Sequence, residues 1–244
     1  MEKQEVTAEG LMDIPVPHDV RISPDGTKVV YSVRTTTRSG EHATSSLWLA
    51  DVGKEHSARQ ITSGLFNDQL PQWSPRPSDM GEVAFISDRA KPGESSAIYI
   101  VSPSGGGEPY FVTKTENKKQ IAGFKWSPNQ QFIAFLSPDE KGKDQEAREK
   151  ATGEAKVYGE DWEYNRIRCV HLATREVVTL LEESFHVTDF AWKGDSSEIA
   201  CITQETPEVD SAGFHGTTFR KVSVAQGKHM LLSKEKFPGP ARNL

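Results

Sequence analysis

Histidines, cysteines and glycine-flanked serines are the residues through which this chain could do covalent chemistry. A serine nucleophile for acyl transfer needs a sharp strand-to-helix turn, written Gly-x-Ser-x-Gly, that exposes its hydroxyl. Gly93-Glu94-Ser95-Ser96-Ala97 and Gly194-Asp195-Ser196-Ser197-Glu198 come nearest, and both lack the second glycine. Both read better as hairpin turns. The seven histidines, at 18, 42, 56, 171, 186, 215 and 229, fall in no His-Glu-x-x-His pattern, and no Cys-x-x-Cys occurs. His171 lies two residues after Cys169, on the same face of a strand, but two ligands do not make a zinc site. Cys169 and Cys201 both sit in apolar strand-like runs, where a small buried thiol is the simpler reading. Gly105-Gly106-Gly107 lacks the Lys-Ser/Thr and the helix that a phosphate loop requires, and Glu108-Pro109 and a strand follow instead. These readings predict no catalytic residue, no cofactor and no metal in this chain.

Charge excludes further classes. Lys and Arg number 29 against 35 Asp and Glu, for a net charge of −6, and the longest basic cluster is Lys118-Lys119. A nucleic-acid backbone would need a basic stripe. The amino terminus, Met1 to Glu5, is charged with no apolar segment behind it, and no run approaches the 18 apolar residues of a membrane span. With no Asn-x-Ser/Thr acceptor either, the chain reads as cytoplasmic, with no nucleic-acid and no membrane partner.

The elements that must position any site are legible as a repeat. Four segments share one layout, beginning at Val20-Arg21-Ile22-Ser23-Pro24-Asp25-Gly26, Leu70-Pro71-Gln72-Trp73-Ser74-Pro75, Phe124-Lys125-Trp126-Ser127-Pro128-Asn129 and Phe190-Ala191-Trp192-Lys193-Gly194-Asp195. Their anchors fall at 22, 73, 126 and 192, at intervals of 51, 53 and 66 residues. Pro presets the first corner of a tight turn, Asp or Asn bonds its own backbone, and Gly accepts positive φ. Each anchor therefore enters a hairpin, with second strands at 28–33, 82–87, 131–137 and 198–203. A second strand pair follows in every unit: 46–51 with 59–62, 97–101 with 110–113, 166–172 with 176–181, and 219–224 with 229–233.

Four strands per unit at about fifty residues is a blade of a β-propeller. Val83-Ala84-Phe85-Ile86 and Phe132-Ile133-Ala134-Phe135-Leu136 are apolar on both faces, as strands covered on both sides must be. A sandwich or open meander would alternate more cleanly. The fold expected is all-β: four four-stranded blades at 20–64, 65–118, 119–185 and 186–236, after a lead-in at 1–19 and before a tail at 237–244. An insertion at 138–164 lengthens the third blade, and its charges near helical spacing, such as Glu146 with Lys150, suggest an exposed helix or a mobile insertion, with a solvated loop as the simpler reading.

These motifs carry a resemblance. The Ser-Pro-Asp-Gly turn, the Trp-Ser-Pro anchors, Phe85-Ile86-Ser87-Asp88-Arg89 and Gly106-Gly107-Glu108-Pro109 resemble the amino-terminal propeller of the prolyl oligopeptidase family of serine peptidases, in particular acylaminoacyl peptidases and fungal dipeptidyl peptidase V-like enzymes. TolB propellers share the blade signature. Leu11-Met12-Asp13-Ile14-Pro15 and Gly159-Glu160-Asp161-Trp162-Glu163-Tyr164-Asn165-Arg166 tilt the resemblance toward the peptidases. It covers roughly residues 8 to 236. It implies an incomplete part of a larger, seven-bladed propeller, with self-closure of four blades as the alternative. It also implies that the chemistry belongs to an α/β-hydrolase domain that this sequence does not contain. The propeller of such enzymes gates and size-filters short peptide substrates.

The resemblance also names a candidate site. In dipeptidyl-cleaving relatives an acidic pair on a propeller insertion holds the substrate's amino group. Their local string is similar to Asp161-Trp162-Glu163-Tyr164, but Asn165 and Arg166 stand where the acidic pair should follow. That departure leans toward acylated or internal peptides. Glu160, Asp161, Glu163 and Arg166 are the expected substrate-path residues. The alternative from another class is a stand-alone TolB- or WD-repeat-like scaffold that binds a protein through its loops.

Overall fold

The computed structural model describes residues 7–37, 39–75, 81–103, 107–114, 117, 119–140, 147, 151, 162–181, 185–208, 210–225, 229–233, 237 and 239. The chain forms two compact units, 1–118 and 119–244. Each holds two four-stranded antiparallel sheets in which strand order follows chain order.

In the first unit, helix α1 (Ala8–Met12) precedes blade 1, built from β1 (Val16–Ile22), β2 (Lys28–Arg34), β3 (Ser45–Asp51) and β4 (Arg59–Gln60). Blade 2 comprises β5 (Gln69–Trp73), β6 (Val83–Ser87), β7 (Ala97–Val101) and β8 (Tyr110–Phe111). In the second unit, blade 3 comprises β9 (Gly123–Trp126), β10 (Phe132–Pro138), β11 (Asn165–His171) and β12 (Val177–Thr179). Blade 4 comprises β13 (His186–Trp192), β14 (Glu198–Gln204), α2 (Ser211–His215), β15 (Thr217–Ser223) and β16 (His229–Leu231). The first strand begins at Val16, ahead of the Val20 that opens the repeat in sequence. The fourth strand of each blade is shorter than the run read for it in sequence, at two or three residues. The expected helix of the insertion falls mostly outside the described residues; Ala147 and Ala151 have helical backbone.

The repeated turn is built the same way three times. Gly26 has φ 73°, and Gln130 and Ser196 occupy the equivalent left-handed position at 59° and 63°. The side chains of Asp25, Asn129 and Asp195 each accept a hydrogen bond from the amide two residues on, at 3.0–3.1 Å. That local bond offsets part of the roughly 1–2 kcal/mol a side chain costs in this conformation.

Register assigns each blade two faces. The forward face of blade 1 carries Val30, Leu47 and Leu49, and they pack with Val83, Phe85, Tyr99 and Val101 on the rear face of blade 2. In the second unit, Ala134, Leu136, Ile167 and Cys169 on the forward face of blade 3 pack with Ile199, Cys201 and Val222 on the rear face of blade 4. The anchor tryptophans bolt these interfaces. Trp73 Nε1 donates to the Arg21 carbonyl at 3.1 Å, and Trp192 Nε1 to the Lys125 carbonyl at 3.0 Å. The acceptor is in each case the residue before the preceding blade's anchor, so the spacing in sequence reappears as one repeated contact.

Candidate functional site

The connection between the second and third strands of blade 3 carries the candidate site. Pro138 ends β10, and Asp139 follows it. Arg166 and Arg168, two apart on β11, share one face because strand side chains alternate. Both reach Asp139: Arg166 Nε donates to Oδ2 at 2.9 Å, and Arg168 Nη2 donates to Oδ1. Each guanidinium is also held elsewhere. Arg168 donates to the Ser137 carbonyl and, at 3.2 Å, to its hydroxyl. Arg166 reaches the Phe185 carbonyl at 3.5 Å and lies 5.2 Å from the centre of the Tyr164 ring. The arginine side chains are 12% and 15% exposed, whereas Asp139 is 57% exposed. Burial depresses the Arg168 pKa, Asp139 opposes that, and neighbouring Arg166 adds to it.

Beside this cluster, Lys119 Nζ pairs with Glu163 Oε1 at 2.5 Å, and the Lys119 amide donates to Glu140 at 3.2 Å. Of the four residues expected on a substrate path, Glu163 and Arg166 are thus engaged in separate ion pairs at this end of the blade. Glu160 and Asp161 lie outside the described residues. Asp139 and Arg168 were not singled out in sequence, although Arg168 follows Arg166 at strand spacing and would have been found by asking which residue shares its face.

His186 opens β13 behind the cluster. Its Nδ1 accepts the Asn165 amide at 3.1 Å, so in the neutral ring the proton sits on Nε2. Burial, reinforced by the Arg166 charge, pushes its pKa down to about 4. It is a neutral donor near pH 7, not a general base.

The equivalent end of the first unit holds a second polar cluster. Arg89 donates to Asp68 at 2.8 Å and lies 4.8–5.4 Å from the ring centres of Tyr99, Phe85 and Phe66. Asp68 is fully buried, and its Oδ2 has no hydrogen-bond partner among the described residues. His42 Nε2 contacts Asp88 Oδ2 at 2.6 Å. Asp88 also accepts the amides of Asn67 and Gly93, both at 2.9 Å. Burial would raise the Asp88 pKa, but the His42 bond, these two amides and the His42 charge outweigh it and hold it below the ordinary value. The dyad ties the β2–β3 connection to the β6–β7 connection.

The serines that sequence placed nearest a nucleophile elbow are turn residues. Ser95 Oγ bonds the backbone of Asp88 and Lys91, and Ser196 Oγ accepts the Asn129 amide at 3.0 Å. Cys169 and His171 do share a face, lining a cavity of about 270 Å³. Burial pushes the Cys169 pKa up to about 12, so its thiol is a poor nucleophile there. Among the described residues, no three His, Cys, Asp or Glu side chains come together as metal ligands, and no helix is long and apolar enough to cross a membrane.

Consecutive four-stranded antiparallel sheets with short helices define an all-β fold of β-propeller blades, and known structures share this fold. Over 93% of its length the chain is similar to the acylaminoacyl peptidase of Pyrococcus horikoshii, with a TM-score of 0.66 at 14% identity, covering 33% of that protein. A puromycin hydrolase matches over 89% of the chain and 28% of its own, with a TM-score of 0.56 at 13% identity. TolB from Acinetobacter baumannii matches over 90% of the chain and 44% of its own, at 0.52 and 13%. The chain therefore spans about a third of the length of the peptidases and under half of TolB. No protein-family model matches the sequence, and no curated protein is similar to it by sequence.

Proposed function

We propose that these blades are the substrate-gating, size-filtering propeller portion of a serine peptidase that releases acylamino acids or dipeptides from short peptides. The observation that carries the reading is the ordered Asp139–Arg166–Arg168 cluster. It stands where the charged insertion leaves blade 3, on a fold shared with prolyl oligopeptidase-family peptidases. The reaction itself belongs to an α/β-hydrolase domain. In this reading the blades restrict access to short peptides, and their fixed charges orient the peptide. The two arginines favour a carboxylate or carbonyl over a free amino group, which is the lean toward acylated or internal peptides that Asn165 and Arg166 suggested.

Two measurements test this. The chain alone is expected to leave acyl-aminoacyl and dipeptidyl chromogenic substrates intact; turnover blocked by a serine-directed phosphonate would overturn it. In a protein carrying these blades beside a hydrolase domain, charge reversal at Glu160, Asp161 and Glu163 is expected to change KM for peptides more than kcat. Unchanged peptide kinetics would remove these residues from the path. A stand-alone scaffold is the second reading, favoured by the likeness to TolB and by Phe214, which is 80% exposed on α2. Capture of a folded protein partner by this face, lost in Phe214→Ser, would support it.

A further inference from the structure

A cleft of about 330 Å³ opens between blades 1 and 2 of the first unit, and both blades supply its walls. Register puts it there. Arg59 on β4 stands opposite Leu49 of β3, and cross-strand partners share a face, so Arg59 continues the forward face of blade 1 outward from that buried leucine. Across from it lies Val101, on the rear face of blade 2, followed by Ser102 and Pro103. Ile61 and Phe66 join Val101 as the apolar part of the lining. Gly107 and Glu108, where the three-glycine connection leads into β8, line it as well. The volume is at the low end for small-molecule sites, which pair apolar walls with a few fixed polar groups.

Two arginines line this cleft, one from each blade, and both are held in place by protein oxygens. Arg59 Nη2 donates to the Pro103 carbonyl, from blade 1 to blade 2. Arg89 donates from Nη2 to Asp68 at 2.8 Å and from Nε to Ser87 Oγ at 3.1 Å. Its Nη1 has no hydrogen-bond partner among the described residues. The rings of Phe66, Phe85 and Tyr99 lie 4.8–5.4 Å from the same guanidinium. Stacking occupies the faces of a guanidinium and leaves its N–H edges for acceptors. The two residues differ in charge. Asp68 cancels that of Arg89, which therefore offers a donor more than a net charge. Arg59 has no carboxylate at ion-pair distance among the described residues, so its charge is uncompensated.

We propose that this cleft binds a small monocarboxylate with an apolar body, the carboxylate taken by Arg59 and the Nη1 of Arg89, the hydrocarbon laid on Ile61, Phe66 and Val101. Guanidinium donors match the planar carboxylate and make charge-assisted bonds to it. Both side chains are already positioned, so little further ordering is needed when the ligand arrives. Glu108 is exposed on the same cleft and pairs with neither arginine, so it sets a negative charge against any second anionic group. That favours a monoanion over a dianion.

Ligand-observed NMR titration of the whole chain with hydrocinnamate tests this, with hydrocinnamamide and acetate as controls. A Kd of roughly 1 mM is expected, the strength that so few heavy atoms supply. The amide lacks the charge and acetate lacks the apolar body, and each is expected to bind at least about fivefold more weakly. Arg59→Gln alters an exposed side chain, so the fold, followed by circular dichroism, is expected to persist while hydrocinnamate binding falls about fivefold or more. Glu108→Gln should instead strengthen binding, by about twofold, through loss of a like charge. Four results would each overturn the inference: no hydrocinnamate binding at about 10 mM, an amide or acetate that binds as tightly, binding unchanged in Arg59→Gln, or weaker binding in Glu108→Gln.

Discussion

Two arginine–aspartate clusters occupy related ends of blades 2 and 3, and they differ in what surrounds them. Arg89 lies among three aromatic rings and pairs with a fully buried Asp68, beside the His42–Asp88 dyad. Arg166 and Arg168 are anchored on backbone and hydroxyl oxygens, and their shared Asp139 stands mostly in solvent. The first is a strut that fixes loops; removing either partner would strand a buried charge. In the second the two cations are as buried as Arg89, and it is the shared carboxylate that faces water. Identical residue types therefore stand in two different environments, and the difference lies in the solvent around the aspartate.

The largest effect that would separate the two clusters is on stability. Asp68→Ala should cost about 3–5 kcal/mol in urea unfolding, the range for breaking a buried pair. A loss below about 1 kcal/mol would place Asp68–Arg89 with the exposed class. Next comes a pH effect confined to the second unit. His186 has a folded-state pKa of about 4 against an ordinary 6.5, so the unfolded chain binds the extra proton. Its contribution is complete above about pH 6.5 and is lost as pH falls toward 4, on the order of 1–2 kcal/mol once partial exposure is discounted. His186→Asn should flatten stability between those pH values; an unchanged slope would assign it to other groups. Asp88 behaves differently, because its lowered pKa keeps its contribution until the pH falls below the ordinary carboxylate range.

Asp139→Asn is expected to cost about 1 kcal/mol or less, and less still in high salt, because the pair is half in water. It should strengthen binding of short peptides with a free carboxylate, measured by calorimetry. Weaker binding would show that Asp139 itself contacts the ligand. The smallest effect belongs to Glu163→Gln, whose ion pair with Lys119 should be worth under about 0.5 kcal/mol by thermal unfolding.

Much of the scaffold was legible beforehand. The Trp73, Trp126 and Trp192 anchors and the turns at Asp25, Asn129 and Asp195 are local signals, since each acts within a few residues and leaves a fixed spacing. The Gln130 and Ser196 turns were readable only as weak copies, yet they adopt the Gly26 conformation because the Asn129 and Asp195 side chains hold it. The register shifts at Asp19 and Leu70 were not visible, because these residues meet across 51 positions of chain, the Leu70 amide on the Asp19 carboxylate at 3.3 Å. The candidate site was half legible. Glu163 and Arg166 were picked from a string, but Asp139, which gathers the arginines, lies 27 residues from Arg166 across a strand pairing.

Sequence by itself determined the repeat, the hairpins and the apolar strands, because turn chemistry and side-chain alternation operate over a few residues. Only the tertiary structure decided which carboxylate each arginine meets and which aspartate loses its solvent. Those outcomes depend on residues distant along the chain arriving at one place, where the local dielectric and the available neighbours set their energies.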